Sequence, residues 1–252
     1  MKFSANLGFL WSDRPYLDRI HAAHKAGFDA VELHWPYDTD AAEIRAALDA
    51  TGLPCLGLNT DRGDTDRGEN GLSALPGREE DARAAIDQAL YYAARIGARN
   101  VHVMAGFAEG PDAHETFVAN LGYACSKAGE TGLLIEPLNR YDAPGYFLNT
   151  ATQGKAVIDA VARPNLKLMF DCYHIQLMQG DLTHRLTDLL PLIGHIQIAA
   201  VPDRGAPDHG EIHYPHIFAH LDALGWQTPL GAEYKDPRPT DDTLGWLAAA
   251  RA

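Results

Sequence analysis

The chain has 252 residues, 46% of them hydrophobic and 22% charged, with a formal net charge of −13 and a sequence pI near 5.2. That length fits one large domain or two small ones, with enough apolar material for a substantial core. So acidic a surface repels polyanions, which argues against nucleic acid and anionic membranes as partners while leaving room for a local basic pocket that seats a small anion.

In chain order, short apolar runs alternate with longer amphipathic stretches. Strands are expected at KFSANLGF (2–9), AVELH (30–34), PCLGLNT (54–60), NVHVMAG (100–106), LLIEPLN (133–139), LKLMFD (166–171), HIQIAAV (195–201) and PLGAEY (229–234). Helices are expected around 13–26, 40–51, 79–97, 112–131, 150–162, 182–192, 214–224 and 240–250. Gly27, Gly52, Gly97, Gly132 and Gly225 each follow a helical run and precede a strand, as helix stop signals do. Eight strands alternating with eight helices predict a parallel sheet closed into a single-domain (β/α)8 barrel spanning 1–252. The competing open, doubly wound sheet usually carries a glycine-rich phosphate loop after its first strand, and NLGFLWSD is not one. The irregular stretch 61–78 is too long for a simple connector and reads as a lid or a disordered segment.

No apolar run approaches the ~20 residues of a membrane span. The N-terminus, interrupted by Ser4 and Asn6, lacks the cleavage site of a signal peptide. Cys55, Cys125 and Cys172 are far apart and form no CxxC pair, so they read as reduced thiols. The expectation is a cytoplasmic protein.

Active sites of closed barrels sit where the strands end. There the sequence places Glu32, His34, Asn59, His102, Glu136, Asp171 with His174, Gln197 and Glu233. Taken singly, each has an ordinary explanation: an ion pair for a glutamate, a helix cap for Asp171, a satisfied core amide for Gln197, a core position for His34 or His102. Together, Glu136, Asp171, Gln197 and Glu233 stand at one end of four successive strands. Three carboxylates would repel one another without a cation between them, and with an amide they form a hard oxygen ligand set suited to Mg²⁺ or Mn²⁺.

The phrases EPLNRYD followed by GYFLN, FDCYHIQLMQGDL, GHIQIAAVPDRGAPDHGEI and GAEYKD resemble the hydroxypyruvate isomerase family, within the xylose isomerase-like barrels, over essentially the whole chain. The resemblance implies interconversion of hydroxypyruvate and 2-hydroxy-3-oxopropanoate, with Glu136 and Glu233 as proton donor and acceptor. It implies Glu136, Asp171, Gln197 and Glu233 as Mg²⁺ ligands, and small homo-oligomers. Wider relatives, sugar 3-epimerases and zinc-dependent endonucleases, carry His where this chain has Gln197, which weakens the case for either. A 2-oxo-tetronate isomerase, acting on an acid one carbon longer, remains open, as does a sugar-acid sensor without turnover. For the substrate carboxylate the candidates are Arg204 first, then Arg140 and Lys235. His174 and His102 are expected to touch substrate, and Trp11, Phe107 and Tyr141 to supply apolar wall.

Overall fold

A computed structural model describes residues 1–251. Eight parallel strands, β1 (Phe3–Asn6), β2 (Ala30–Glu32), β3 (Gly57–Asn59), β4 (Asn100–His102), β5 (Gly132–Ile135), β6 (Leu166–Asp171), β7 (Ile193–Ile198) and β8 (Leu230–Ala232), form one sheet in the order β2-β1-β8-β7-β6-β5-β4-β3. The remaining seam, between β2 and β3, is bridged by Val31 and Cys55. There the N–H of Leu33 donates to Gly57 O at 2.9 Å and that of Asn59 to His34 O at 2.9 Å. The sheet is therefore a barrel, as the alternation predicts.

The expected helices form as α1 (Tyr16–Ala26), α2 (Ala41–Thr51), α3 (Glu79–Ile96), α4 (Gly110–Lys127), α5 (Ala151–Val161), α7 (Leu182–Leu189), α8 (Tyr214–Ala223) and α9 (Gly245–Ala249). A short α6 (Cys172–Met178) follows β6 directly; it is not among the eight expected helices, but it is the turn for which Asp171 is a candidate cap, and Asp171 does cap it. Gly27, Gly52 and Gly97 end their helices in the left-handed conformation. Gly132 does not: α4 stops earlier, the turn uses Gly129 (φ 57°), and Gly132 opens β5. Among the described residues no helix is long and apolar enough to cross a membrane.

Alternation along each strand sorts side chains between barrel and helices. In β1, Phe3 faces outward against Phe218 and Trp246, with ring centroids 5.4 and 5.1 Å away. Ser4 and Asn6 face inward and meet Glu32 and Glu233. The strands are shorter than expected, because the chain leaves the ladder to enter the connecting loops. Glu136 and Glu233 each stand one residue past it. The stretch 61–78 is no free flap. Ser73 and Ala74 donate to the carbonyls of Met104 and Ala105, and Leu72, Ser73 and Ala74 are buried.

Helix α2 begins with Asp40, whose Oδ1 accepts the N–H of Ala42 at 2.7 Å. Asp40→Ala is expected to cost about 1 kcal/mol, lowering Tm by roughly 2–4 °C in a chain of this size. Calorimetry at neutral pH checks it.

Candidate active site

The register brings the rim residues together. Asp171 pairs with Gln197, and Gln197 with Gly231, across β6, β7 and β8. Glu136, Asp171, Gln197 and Glu233 are all buried. One ligand atom each from Glu136, Asp171, His174 and Glu233 lies within 4.8 Å of the others. Above them opens a cavity of about 600 Å³ walled by Phe9, Trp35 and Tyr173 and lined by the cations Arg62, Arg204 and Lys235.

The three carboxylates are held differently. Glu233 is surrounded by donors: its Oε1 accepts from Asn6 Nδ2 at 2.9 Å and lies 2.8 Å from His34 Nε2, and its Oε2 accepts from Arg204 at 2.8 Å. Burial alone would raise Glu233, but the His34 hydrogen bond and the Arg204 charge overcome it and hold the carboxyl below its usual range. Glu136 has no such company. Its Oε1 has no hydrogen-bond partner, and His102 Nδ1 and His174 Nε2 stand 3.6 and 3.8 Å from its oxygens. Burial, then the charges of Glu233 and Asp171, push Glu136 well above the usual range. Asp171 divides its labour: Oδ1 caps α6 by accepting the Tyr173 N–H at 2.8 Å, while Oδ2 is buried without a partner, 3.6 Å from His174 Nε2. Burial and the nearby Glu233 raise its carboxyl to about 7.

The Asn139 backbone N–H donates to His174 Nδ1 at 3.1 Å, and the Arg204 guanidinium, likewise only a donor, lies 3.2 Å from Nε2 on the side of the carboxylates. Burial, with Arg204 adding to it, holds His174 well below its usual pKa and therefore neutral. His174 is thus an uncharged member of the cluster, and one of its ring nitrogens is among the atoms that could hold an ion. His102 is also neutral, lowered to about 3 by burial, and neither ring nitrogen has a partner.

Arg204, a residue with φ 58°, lies between Phe9 and Tyr173, 4.9 and 5.1 Å from their ring centroids. Its guanidinium is committed to Glu233 and, at 3.2 Å, to Asp142. Lys235 lies over Phe9 at 4.6 Å and Arg62 over Trp35 at 4.0 Å; neither makes an ion pair among the described residues. Arg140 is exposed and donates to Tyr141, away from the cavity lining. The aromatic wall differs from the expected one. Trp11 is fully buried beneath the rim with its indole N–H on Asp241, and Phe107 and Tyr141 are exposed.

Three buried oxygens without partners, Glu136 Oε1, Asp171 Oδ2 and Gln197 Oε1, are what a bound cation would satisfy. The carboxylate cluster can therefore hold a metal ion, and its oxygen-rich character fits a hard one.

Residues 20–250 match the family model described as xylose isomerase-like TIM barrel. The chain belongs to the xylose isomerase-like TIM barrel family. It is 46% identical to a 2-oxo-tetronate isomerase of Cupriavidus necator, over 98% of this chain and 97% of the relative. It is 41% identical to a putative hydroxypyruvate isomerase of Xenopus laevis, over 98% and 94%. A crystal structure described as an AP endonuclease, family 2, from Brucella melitensis superposes with a TM-score of 0.95 at 38% identity over 98% of both chains. With full-length curated relatives at these identities named as isomerases, this member of the family is an isomerase.

Sequence reasoning placed Asn59 and His34 at the rim but missed Asn6, which stands as a lone amide at the end of β1 and grips Glu233. It also missed Arg62, inside the stretch expected to be a lid or a disordered segment. Close approach matters at Gly8, where a Cβ would overlap the His34 ring that contacts Glu233.

The raised Asp171 carboxyl binds its proton more tightly folded than unfolded, so between 3.8 and about 7 each rise in pH favours unfolding. Neutral His102 and His174 act in the opposite sense in the same window, so the informative quantity is a difference. In chelator, Asp171→Asn, which keeps the cap, is expected to melt progressively higher than wild type as pH rises through that window. Added Mn²⁺ should reverse the order. Thermal melts across pH check both.

Proposed function

We propose that this isomerase interconverts hydroxypyruvate and 2-hydroxy-3-oxopropanoate, an aldose–ketose exchange on a three-carbon acid. The observation that carries the reading is the pairing of Glu136 and Glu233, buried in one cluster with opposite proton affinities. Carboxyls whose surroundings drive their pKa values apart make an acid–base pair. The proton on C3 leaves to a carboxylate, an enediolate spans C2 and C3, and a proton returns to C2; the hydroxyl proton moves between the two oxygens, so no atom is gained or lost. Glu136, with a bare oxygen, is the group free to move the carbon-bound proton, and Glu233 is its partner. His174 and His102, both on the cavity lining and the latter with two unsatisfied nitrogens, hydrogen-bond the substrate oxygens. Glu136, Asp171, Gln197 and Glu233 would hold Mg²⁺ or Mn²⁺, which would supply positive charge to offset that of the enediolate.

A second substrate is favoured by a specific observation. The 46% relative is named for the four-carbon 2-oxo-tetronate, and the cavity of about 600 Å³ has room for the extra carbon. The nuclease description of the Brucella structure finds no such support, since a net charge of −13 opposes a nucleic-acid backbone.

Purified protein supplied with Mg²⁺ is expected to turn over a 2-oxo acid, with kcat/KM on hydroxypyruvate and on 2-oxo-tetronate ranking the two. In D₂O the product should carry deuterium at the new C–H bond. Glu136→Gln should lose roughly 10²–10⁴-fold in kcat; near-normal turnover by that variant removes Glu136 from the mechanism.

The substrate carboxylate needs a cation whose charge is not already spent. Arg204 serves Glu233 and Asp142, whereas Lys235 and Arg62 are held over aromatic rings at the cavity wall. Lys235→Met and Arg62→Leu are each expected to raise KM about tenfold with kcat largely kept, the loss of about one charge-assisted hydrogen bond. Steady-state kinetics decides between them.

A further inference from the structure

Beneath the catalytic layer the barrel interior holds a second polar group that the reaction does not use. Glu32, at the end of β2, is buried, and Oε1 accepts from the Ser4 hydroxyl. Its Oε2 accepts from Gln197 Nε2 at 2.9 Å and lies 3.1 Å from His195 Nε2. Barrel interiors are ordinarily filled by branched apolar side chains, so a buried carboxylate here calls for a reason.

We propose that Glu32 is a positioning residue that fixes which end of the Gln197 amide faces the ion in the catalytic cluster. The proposal rests on the reading of Gln197 as a ligand. The oxygen and nitrogen ends of an amide have nearly the same shape, and packing alone discriminates poorly between them. A carboxylate only accepts hydrogen bonds, so Glu32 selects the NH₂ end and turns Oε1 away from itself. That Oε1 is buried and has no partner, at the register position beside Asp171, whose Oδ2 is likewise unpartnered. Gly231 completes the arrangement. It pairs with Gln197 across β7 and β8, and a Cβ there would fall on the Glu32 carboxylate and within 2.8 Å of Gln197 Cγ. Glycine leaves the space in which the two side chains meet.

The test is Mn²⁺ titration of the full chain, followed by electron paramagnetic resonance, with thermal melts in parallel. Wild-type binding tests the metal reading itself, and the variants test Glu32. Glu32→Gln is nearly isosteric and removes the bias, so Mn²⁺ affinity is expected to fall about 10–100-fold, the usual effect of losing a residue that orients a ligand. The exchange Glu32→Gln/Gln197→Glu should restore it, because a carboxylate at 197 offers oxygen on either side and accepts from the new amide. Unchanged affinity in Glu32→Gln overturns the proposal. So does a loss that the exchange fails to restore, which would make Glu32 merely structural. If the single variant does not fold, the exchange variant decides alone: affinity near wild type supports the proposal and weak binding overturns it. Turnover is not the readout, so a wrong substrate assignment leaves this result intact.

Discussion

Repulsion among Glu136, Asp171 and Glu233 is the constraint around which this molecule is arranged. Three carboxyls crowded into one buried cluster cannot all ionise at ordinary cost. The chain meets part of that cost with Arg204, whose guanidinium reaches Glu233 directly and Asp171 at 4.0 Å. The rest appears as raised proton affinity on Glu136 and Asp171. The asymmetry is chemically useful. Donors gather on one glutamate and leave the other bare, so a single cluster contains a fixed anion and a group able to exchange protons.

The barrel makes that crowding possible. Parallel register puts Asp171 and Gln197 side by side, while short strands let Glu136 and Glu233 emerge just above the ladder. Helices outside absorb the apolar faces of the same strands, as Phe3 shows against Phe218 and Trp246. The interior is thereby freed to be polar along β1, β2, β7 and β8. Ser4, Glu32, His195 and Gln197 form a lower tier, and Asn6, His34 and Glu233 an upper one.

Much of this was legible in the sequence because it follows from local rules. Short apolar runs alternating with amphipathic stretches and glycine stops gave the strand and helix order, and a charge at the end of an apolar run marked Glu136, Asp171 and Glu233. The failures have physical reasons too. Gly132 was misread as a helix stop because a glycine can serve equally where a strand needs space; a Cβ there would crowd Asn100. Aromatic residues near the rim could not be sorted by sequence alone. Trp11 turns inward to Asp241 and Phe107 outward, while the wall is built by Phe9, Trp35 and Tyr173. Arg62 was hidden because the stretch around it has no periodicity, although its neighbours are stitched to the exit of β4.

The same charge arithmetic bears on how substrate is held. An arginine near a site is easily taken for the seat of an anionic substrate, yet a cation already bridging two carboxylates has little field left to offer a third. Arg204 sits between Glu233 and Asp142, so removing it would disturb the cluster before it disturbed substrate binding. Lys235 and Arg62 lie on aromatic faces, which orient a cation without neutralising it. The cavity therefore holds two kinds of positive charge: one inside, paired with the buried carboxylates, and one at the wall, held over aromatic rings with no ion pair among the described residues.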